Sequence, residues 1–205
     1  MNTVLTRFYT KDDVPYNLGE INRYLGVKEE NSDIRRLINE CISEAEDAFT
    51  YKVCYREFDL KFEDEFIDLG FDKVKSKKLE KNLFSCEKII LFSATVGAGI
   101  DRLIKRYSRI SESKAVIFQA IGSERVESLC NLFNNEIKEE FSCKCCSLKP
   151  RFSPGYGDFD LECQRKIISV LDCPRAIGVT LNESLLMSPS KSVTALIGIF
   201  PSKNG

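Results

Sequence analysis

A chain of 205 residues, 43% hydrophobic and 30% charged, has the composition of a globular protein long enough to bury a substantial core. Its 30 Lys+Arg against 31 Asp+Glu leave a formal charge of -1, which argues against a global attraction to nucleic acid or acidic lipid. Histidine is absent. That removes Ser-His-Asp and Cys-His nucleophilic sites, His-ligated zinc, and any His ligand to cobalt or haem supplied by this chain.

No apolar run approaches the roughly 18 to 20 residues of a membrane span. The first residues, with Arg7, Lys11, Asp12 and Asp13, lack the apolar stretch of a signal peptide. The expectation is a cytoplasmic protein with no membrane segment, whose nine cysteines are reduced thiols.

Residues 1–30 are mixed, with a short helix predicted around Leu18 to Leu25. Ser32 and Asp33 are good helix caps, and Ile34, Leu37, Ile38, Cys41, Ile42, Ala45, Ala48 and Phe49 follow at helical spacing. Tyr51, Val53 and Tyr55 then alternate as in a strand. Phe58, Leu60 and Phe62 alternate in the opposite phase, which predicts a bulge or bend between the two runs. The charged segment from Asp64 to Lys81 reads as a surface connection ending in a helix.

Cys86 to Thr95 reads as a buried strand, turned by Gly97 and Gly99 into a helix with Ile100, Leu103, Ile104 and Tyr107 on one face. The longest helix is predicted from about Glu112 to Glu140, with Ala115, Phe118, Gly122, Val126, Leu129, Cys130, Phe133 and Ile137 as its inner stripe. A polar, cysteine-rich stretch, Ser142 to Ser147, leads into a Pro- and Gly-rich loop from Lys149 to Asp158. Asp158 or Asp160 can cap a helix through Leu161, Ile167, Ile168 and Leu171, and Pro174 and Gly178 bracket a short helical turn. Two strands, near Val179–Leu186 and Val193–Phe200, close the chain. Strict βαβ alternation is missing, so the pattern predicts an α+β fold, an antiparallel sheet flanked by helices. Without an internal repeat or flexible linker, residues 1–205 read as a single domain.

Three segments invite a functional reading. Thr95-Val96-Gly97-Ala98-Gly99-Ile100-Asp101-Arg102 has the place of a nucleotide-binding turn, but Arg102 stands at the third glycine position and no acid follows about 20 residues on. A tight strand-to-helix turn without ligand is the simpler reading. Cys143, Cys145 and Cys146 have no recognised zinc spacing and read as adventitious cysteines. The loop Arg151-Phe152-Ser153-Pro154-Gly155-Tyr156 places a guanidinium, an aromatic hydroxyl and a rigid Pro-Gly turn within six residues. Arginine can clasp a carboxylate with two parallel hydrogen bonds. A tyrosine face can accept adenine or a sulfonium cation. Pro-Gly-Tyr turns also serve structure alone, so the residue types leave both readings open.

This loop resembles the RxxPGY signature of the activation domain of cobalamin-dependent methionine synthase. Thr180-Leu181-Asn182-Glu183-Ser184, followed by Met187, Pro189 and Ser192-Val193, is similar to that family's TESxAMxPxxSVS stretch. The helix from Glu124 to Glu136 resembles the family helix before the signature, with Glu127 at a ligand-contacting carboxylate position. The resemblance spans roughly Glu87 to Phe200, so residues 86–205 read as the core. Residues 1–85 read as an N-terminal helix and strand extension, in which Arg23-Tyr24-Leu25-Gly26 is similar to short stand-alone versions of the domain. In this chain Gly157-Asp158-Phe159 follows the signature tyrosine, and Cys145 stands near a position where the family has a carboxylate.

The resemblance implies a twisted antiparallel sheet flanked by helices. It also implies S-adenosylmethionine binding through Glu127, Arg151, Phe152, Pro154, Gly155, Tyr156, Ser184 and Met187, with no catalytic side chain and no metal ligand. The implied activity is reductive methylation of cob(II)alamin, the cobalamin being carried by a separate methionine synthase subunit and the electron coming from a flavodoxin- or ferredoxin-type donor. Because cob(I)alamin is itself a strong nucleophile, such a protein needs no general base, which suits a chain without histidine. The alternative is a non-catalytic S-adenosylmethionine-sensing or docking module for a corrinoid protein. A conventional methyltransferase is disfavoured by the incomplete glycine fingerprint.

Overall fold

In the long strands apolar residues occupy both alternations, so both faces of the sheet they form must be covered. The computed structural model describes residues 3–29 and 31–202. It contains β1 (Leu5–Tyr9), α1 (Leu18–Leu25), α2 (Ser32–Ala45), β2 (Tyr51–Asp59), β3 (Lys61–Phe62), β4 (Ile67–Asp68), β5 (Lys73–Val74), α3 (Lys77–Leu83), β6 (Lys88–Thr95) and α4 (Gly99–Tyr107). These are followed by α5 (Glu112–Ser142), β7 (Cys146–Leu148), α6 (Cys163–Val170), α7 (Cys173–Ala176), β8 (Thr180–Leu181), β9 (Met187–Ser188) and β10 (Ser192–Pro201). The main sheet has five strands in the order β1-β2-β6-β10-β7, and every neighbouring pair is antiparallel. This is the α+β class that the sequence pattern predicts.

One face of the sheet buries Tyr51, Val53, Ile90, Phe92, Ala94, Ala195 and Ile197 under α5, which contributes Phe118, Ile121, Leu129, Phe133 and Ile137. The opposite face buries Cys54, Phe58, Ile89, Leu91 and Leu196 against Leu79 and Leu83 of α3 and Ile167, Ile168 and Leu171 around α6. Two-sided burial explains the phase change along β2. Tyr51 and Val53 serve the first face and Cys54 and Phe58 the second, while the register with β6 runs unbroken from Lys52↔Thr95 to Asp59↔Lys88. The predicted bulge is therefore absent from this pairing.

Other boundaries shift for local reasons. The cap of α2 is Asn31, whose Oδ1 accepts from the Ile34 amide at 2.9 Å, and Ser32 is the first helical residue. β1 pairs Leu5 to Tyr9 with Tyr55 to Tyr51; Thr6, Phe8 and Tyr9 are β-prone, but Leu5 and Phe8 break the period-2 alternation of a half-buried strand. β7 arises inside the stretch read as a polar connection, because Leu148 and Cys146 pair with Ile199 and Pro201 at the sheet edge. Of the strand expected over Val179–Leu186, only Thr180–Leu181 forms. Asn182 Oδ1 accepts from the Leu186 amide at 2.9 Å, and Leu185 has φ 61°, so the chain turns back into a two-strand hairpin with β9.

The glycine turn after β6 approaches the protein itself. A Cβ on Gly97 would stand 2.2 Å from Thr50 Oγ1, and one on Gly99 would stand 1.9 Å from the Ala48 carbonyl oxygen. That explains both glycines without a ligand. Among the described residues, no helix is long and apolar enough to cross a membrane.

Candidate functional site

Between β7 and the signature loop the chain runs extended along β10. Lys149 N donates to Gly198 O at 2.9 Å, and Phe152 exchanges two 2.9 Å backbone bonds with Leu196. Successive residues of an extended chain point to opposite faces. Phe152 enters the core between the sheet and helices α3 and α6, here the lower core, where it is 7% exposed, and Arg151 reaches α5 on the other side.

On α5, Ser123, Glu127 and Asn131 are spaced by four residues and share one face. The Arg151 guanidinium pairs with Glu127 Oε2 and donates to Asn131 Oδ1 at 2.8 Å. Glu127 and Arg151, separated in sequence, therefore form one half-exposed charged pair. Two bonds leave Arg151 with further N–H groups to offer, and Glu127 keeps acceptor capacity.

Beyond Arg151 the signature makes two consecutive turns. Tyr156 N donates to Ser153 O at 3.1 Å, with Pro154 and Gly155 between them and Gly155 at φ 85°. Proline followed by a positive-φ glycine is the pattern of a type II turn. Phe159 N then donates to Tyr156 O at 3.2 Å, and Gly155 N to Phe159 O at 2.8 Å. Tyr156 is 66% exposed, its ring edge-on to buried Phe152 with centroids 5.2 Å apart. Pro154 is buried and Gly155 exposed.

Asp158 does not cap the helix that follows it. It reaches the start of α3, whose N-cap is Ser76, and accepts from Ser76 Oγ at 2.5 Å, Lys77 N at 2.8 Å and Lys78 N at 3.2 Å. The Ser76 hydroxyl, with those two amides, holds its carboxyl below the usual aspartate range. Asp160 instead accepts from Glu162 N at 2.9 Å, just before α6.

Ser184 lies exposed in the β8–β9 turn and Met187 packs half-buried against the lower core. No hydrogen bond among the described residues joins either to the Arg151–Glu127 pair. The segment after them does reach α5. Ser190 donates to Asp101 through its amide at 2.8 Å and its hydroxyl at 2.5 Å, and Ser192 Oγ donates to Pro189 O at 2.8 Å. Lys191 is thereby laid across α5 at Gly122, where a Cβ would stand 3.0 Å from its Cγ, and its Nζ donates to Ser123 Oγ at 3.1 Å. Burial lowers the Lys191 ammonium from the ordinary lysine value, with Asp101 opposing. Lys191 thus stands one helical turn from Glu127.

Sequence reasoning missed Asn131, Lys191, the bonds of Asp158 to the start of α3, and a buried ion pair on α5. Asn131 was findable, since it lies four residues after Glu127 on a predicted helix. The others are made by loops whose course local pattern does not encode. In the buried pair, Arg125 Nε and Nη2 donate to Glu124 at 2.6 Å each, and Nη2 also donates to Pro15 O at 2.7 Å. Glu124 accepts from Asn17 N at 3.1 Å, and the guanidinium lies 3.8 Å from the Tyr16 ring centre. This pair anchors residues 14–17 to α5.

A concavity of about 590 Å³, lined by Arg7, Tyr9, Glu136 and Glu140 among others, opens elsewhere, between β1 and α5. Its groups are already paired, Arg7 with both glutamates and Tyr9 Oη with Glu136 at 2.7 Å. The chemistry therefore favours the signature loop over this hollow. Among the described residues, no cluster of His, Cys, Asp or Glu could hold a metal ion.

With this geometry in view, comparison with known proteins is informative. The sequence model described as the vitamin B12 dependent methionine synthase activation domain matches residues 72–204. A crystal structure of the MetH reactivation domain bound to AdoHcy is similar with a TM-score of 0.71 at 14% identity, covering 98% of this chain and 79% of that one. At that identity the likeness establishes the fold. No curated protein sequence matches the chain. The matched span holds the signature loop, α5 and the β8–β10 segment, well over half of the residues, and the chain belongs to the family of vitamin B12 dependent methionine synthase activation domains.

Proposed function

We propose that this protein binds S-adenosylmethionine and supports reductive methylation of cob(II)alamin on a separate cobalamin-dependent methionine synthase. The observation that carries the proposal is the Arg151–Glu127 pair, formed by the first residue of the signature whose last residue, Tyr156, is left exposed. The amino-acid end of the ligand is a zwitterion, which such a pair can match group for group. Arg151 takes the carboxylate through its remaining N–H donors, and Glu127 takes the ammonium. The Tyr156 face, exposed and edge-on to Phe152, receives adenine or the sulfonium. Phe152, Pro154 and Gly155 hold the loop, and Ser184 and Met187 complete the set of contacts that the family resemblance implies.

The AdoHcy-bound reactivation domain of the same fold supports this reading, since AdoHcy is S-adenosylmethionine without its methyl group. The cobalamin, carried by the partner, supplies the nucleophile for the methyl group, with an electron from a flavodoxin- or ferredoxin-type donor. This chain's own residues supply no base and only orient the ligand. We place the reaction in the cytoplasm, with residues 1–205 acting as one unit.

The test combines purified protein, cob(II)alamin-loaded partner, reductant and S-adenosylmethionine, and follows the cobalamin spectrum. Methylcobalamin should form only when all four are present. Ligand binding without methylcobalamin would instead favour the sensing or docking reading.

A further inference from the structure

Tyr156 is the shared residue of the two consecutive turns, the last of the first and the first of the second. Proline at one corner stiffens the first turn internally, and glycine at the other takes the positive φ the turn needs. The second has no proline. Its corner is Gly157 and Asp158, with Gly157 at φ 68°. What immobilises this corner is its attachment to α3, where Asp158 accepts from Ser76 Oγ and from the amides of Lys77 and Lys78. The contact is close enough that a Cβ on Gly157 would stand 2.4 Å from Lys78 Cδ.

The Tyr156 side chain, by contrast, has little of its own to hold it. It is 66% exposed, its hydroxyl makes no hydrogen bond to the described residues, and one edge-on ring contact to Phe152 is its main packing. An exposed aromatic on a loose backbone would lose rotational freedom on binding and weaken the complex accordingly. A backbone pinned on both sides of the tyrosine removes much of that loss beforehand.

We propose that Asp158 is a positioning residue: by fastening the second turn to α3 it presents the Tyr156 ring to the ligand. This rests on the reading of Tyr156 as a ligand contact. It also assigns a task to Ser76 and the start of α3, which are remote in sequence from the signature. The Gly157-Asp158 pair that follows the tyrosine here is thus a working part of the loop.

The test is a double-mutant cycle on the full chain, with S-adenosylmethionine affinity read by calorimetry for wild type, Asp158→Ala, Tyr156→Ala and the double variant. Asp158→Asn is the intermediate control, because its one carbonyl oxygen can keep the bonds from Ser76 Oγ and the Lys78 amide while the Lys77 amide loses its acceptor. Asp158→Ala should weaken binding by about tenfold, the upper end for leaving one aromatic side chain unordered. Asp158→Asn should recover part of that loss. In the Tyr156→Ala background, Asp158→Ala should have no further effect, since its influence runs through the missing ring.

Hydrogen exchange without ligand gives a second readout. The amides of Tyr156 and Phe159 should exchange faster in Asp158→Ala, with β6 and β10 unchanged. Equal weakening in both backgrounds, or undisturbed protection at Tyr156 and Phe159, overturns the proposal. Absence of binding by the wild type, with exchange behaving as expected, would sink the functional reading and leave the clamp on Tyr156 standing.

Discussion

At Arg151, charge alone is not what the site demands. The guanidinium engages Glu127 and Asn131 together, a planar fork spread over two positions of α5, and must still offer N–H groups to a ligand. Lysine keeps the charge but cannot reproduce the fork. We expect Arg151→Lys to weaken S-adenosylmethionine binding almost as much as Arg151→Ala, by about 1.5–3 kcal/mol. Calorimetry decides, and a lysine variant that binds like wild type would make the arginine structural. The cysteines give a second residue-scale prediction. Burial pushes the thiol of Cys41 up to about 11, and those of Cys130 and Cys163 up to about 12, with Asp72 adding to the rise at Cys163. Because these thiols stay protonated and enclosed at pH 8, iodoacetamide should label exposed Cys143 and Cys145 first. Early labelling of Cys130, read by peptide mass, would contradict its burial on the sheet-facing side of α5.

At the scale of elements, the β6–α4 turn sets two effects against each other at Gly99, the first residue of α4. Alanine there gains up to about 1 kcal/mol in helix propensity. Its Cβ, however, would lie 1.9 Å from the carbonyl oxygen of Ala48, which is backbone and cannot swing aside. Overpacking of this kind typically costs about 1–3 kcal/mol, and this contact belongs at the upper end. Gly99→Ala should therefore lower stability despite the better helix former. A denaturant midpoint equal to or above wild type would show that the 48–50 segment yields. The 31-residue α5 is the element that organises the rest. One of its faces roofs the sheet, another offers Ser123, Glu127 and Asn131, and a third holds residues 14–17.

Across the whole molecule, the Glu124–Arg125 pair joins the N-terminal segment to the family-matched part. Both side chains are at most 1% exposed, and between them they satisfy backbone groups of Val14, Pro15 and Asn17. Removing one partner strands a buried charge, so Arg125→Met should destabilise by about 3–5 kcal/mol in a urea titration. Replacing both with apolar residues of similar size should recover part of that loss, since a buried pair is weak evidence for net stability. If the single variant is neutral, the segment is held by its apolar contacts, such as Val14 and Ile21 in the core.

What the sequence by itself determined was local: periodicity placed α1, α4, α5, β6 and most of β10. Signature residues such as Arg151 and Tyr156 carried the family resemblance. Short-range signals sufficed because each is governed by helical or strand spacing, or by turn chemistry such as Pro154-Gly155. Tertiary structure decided the rest. β1 and β7 are strands because longer neighbours offer them unpaired edges, and the phase change in β2 reflects burial on both faces of the sheet. Asp158 binds the start of α3 instead of capping the following helix because the fold brings that start to its carboxylate. Lys191 lies one turn from Glu127 because Asp101 and Thr95 hold its loop against α5. Each of these contacts joins residues far apart along the chain, and such partners exist only once the sheet has closed.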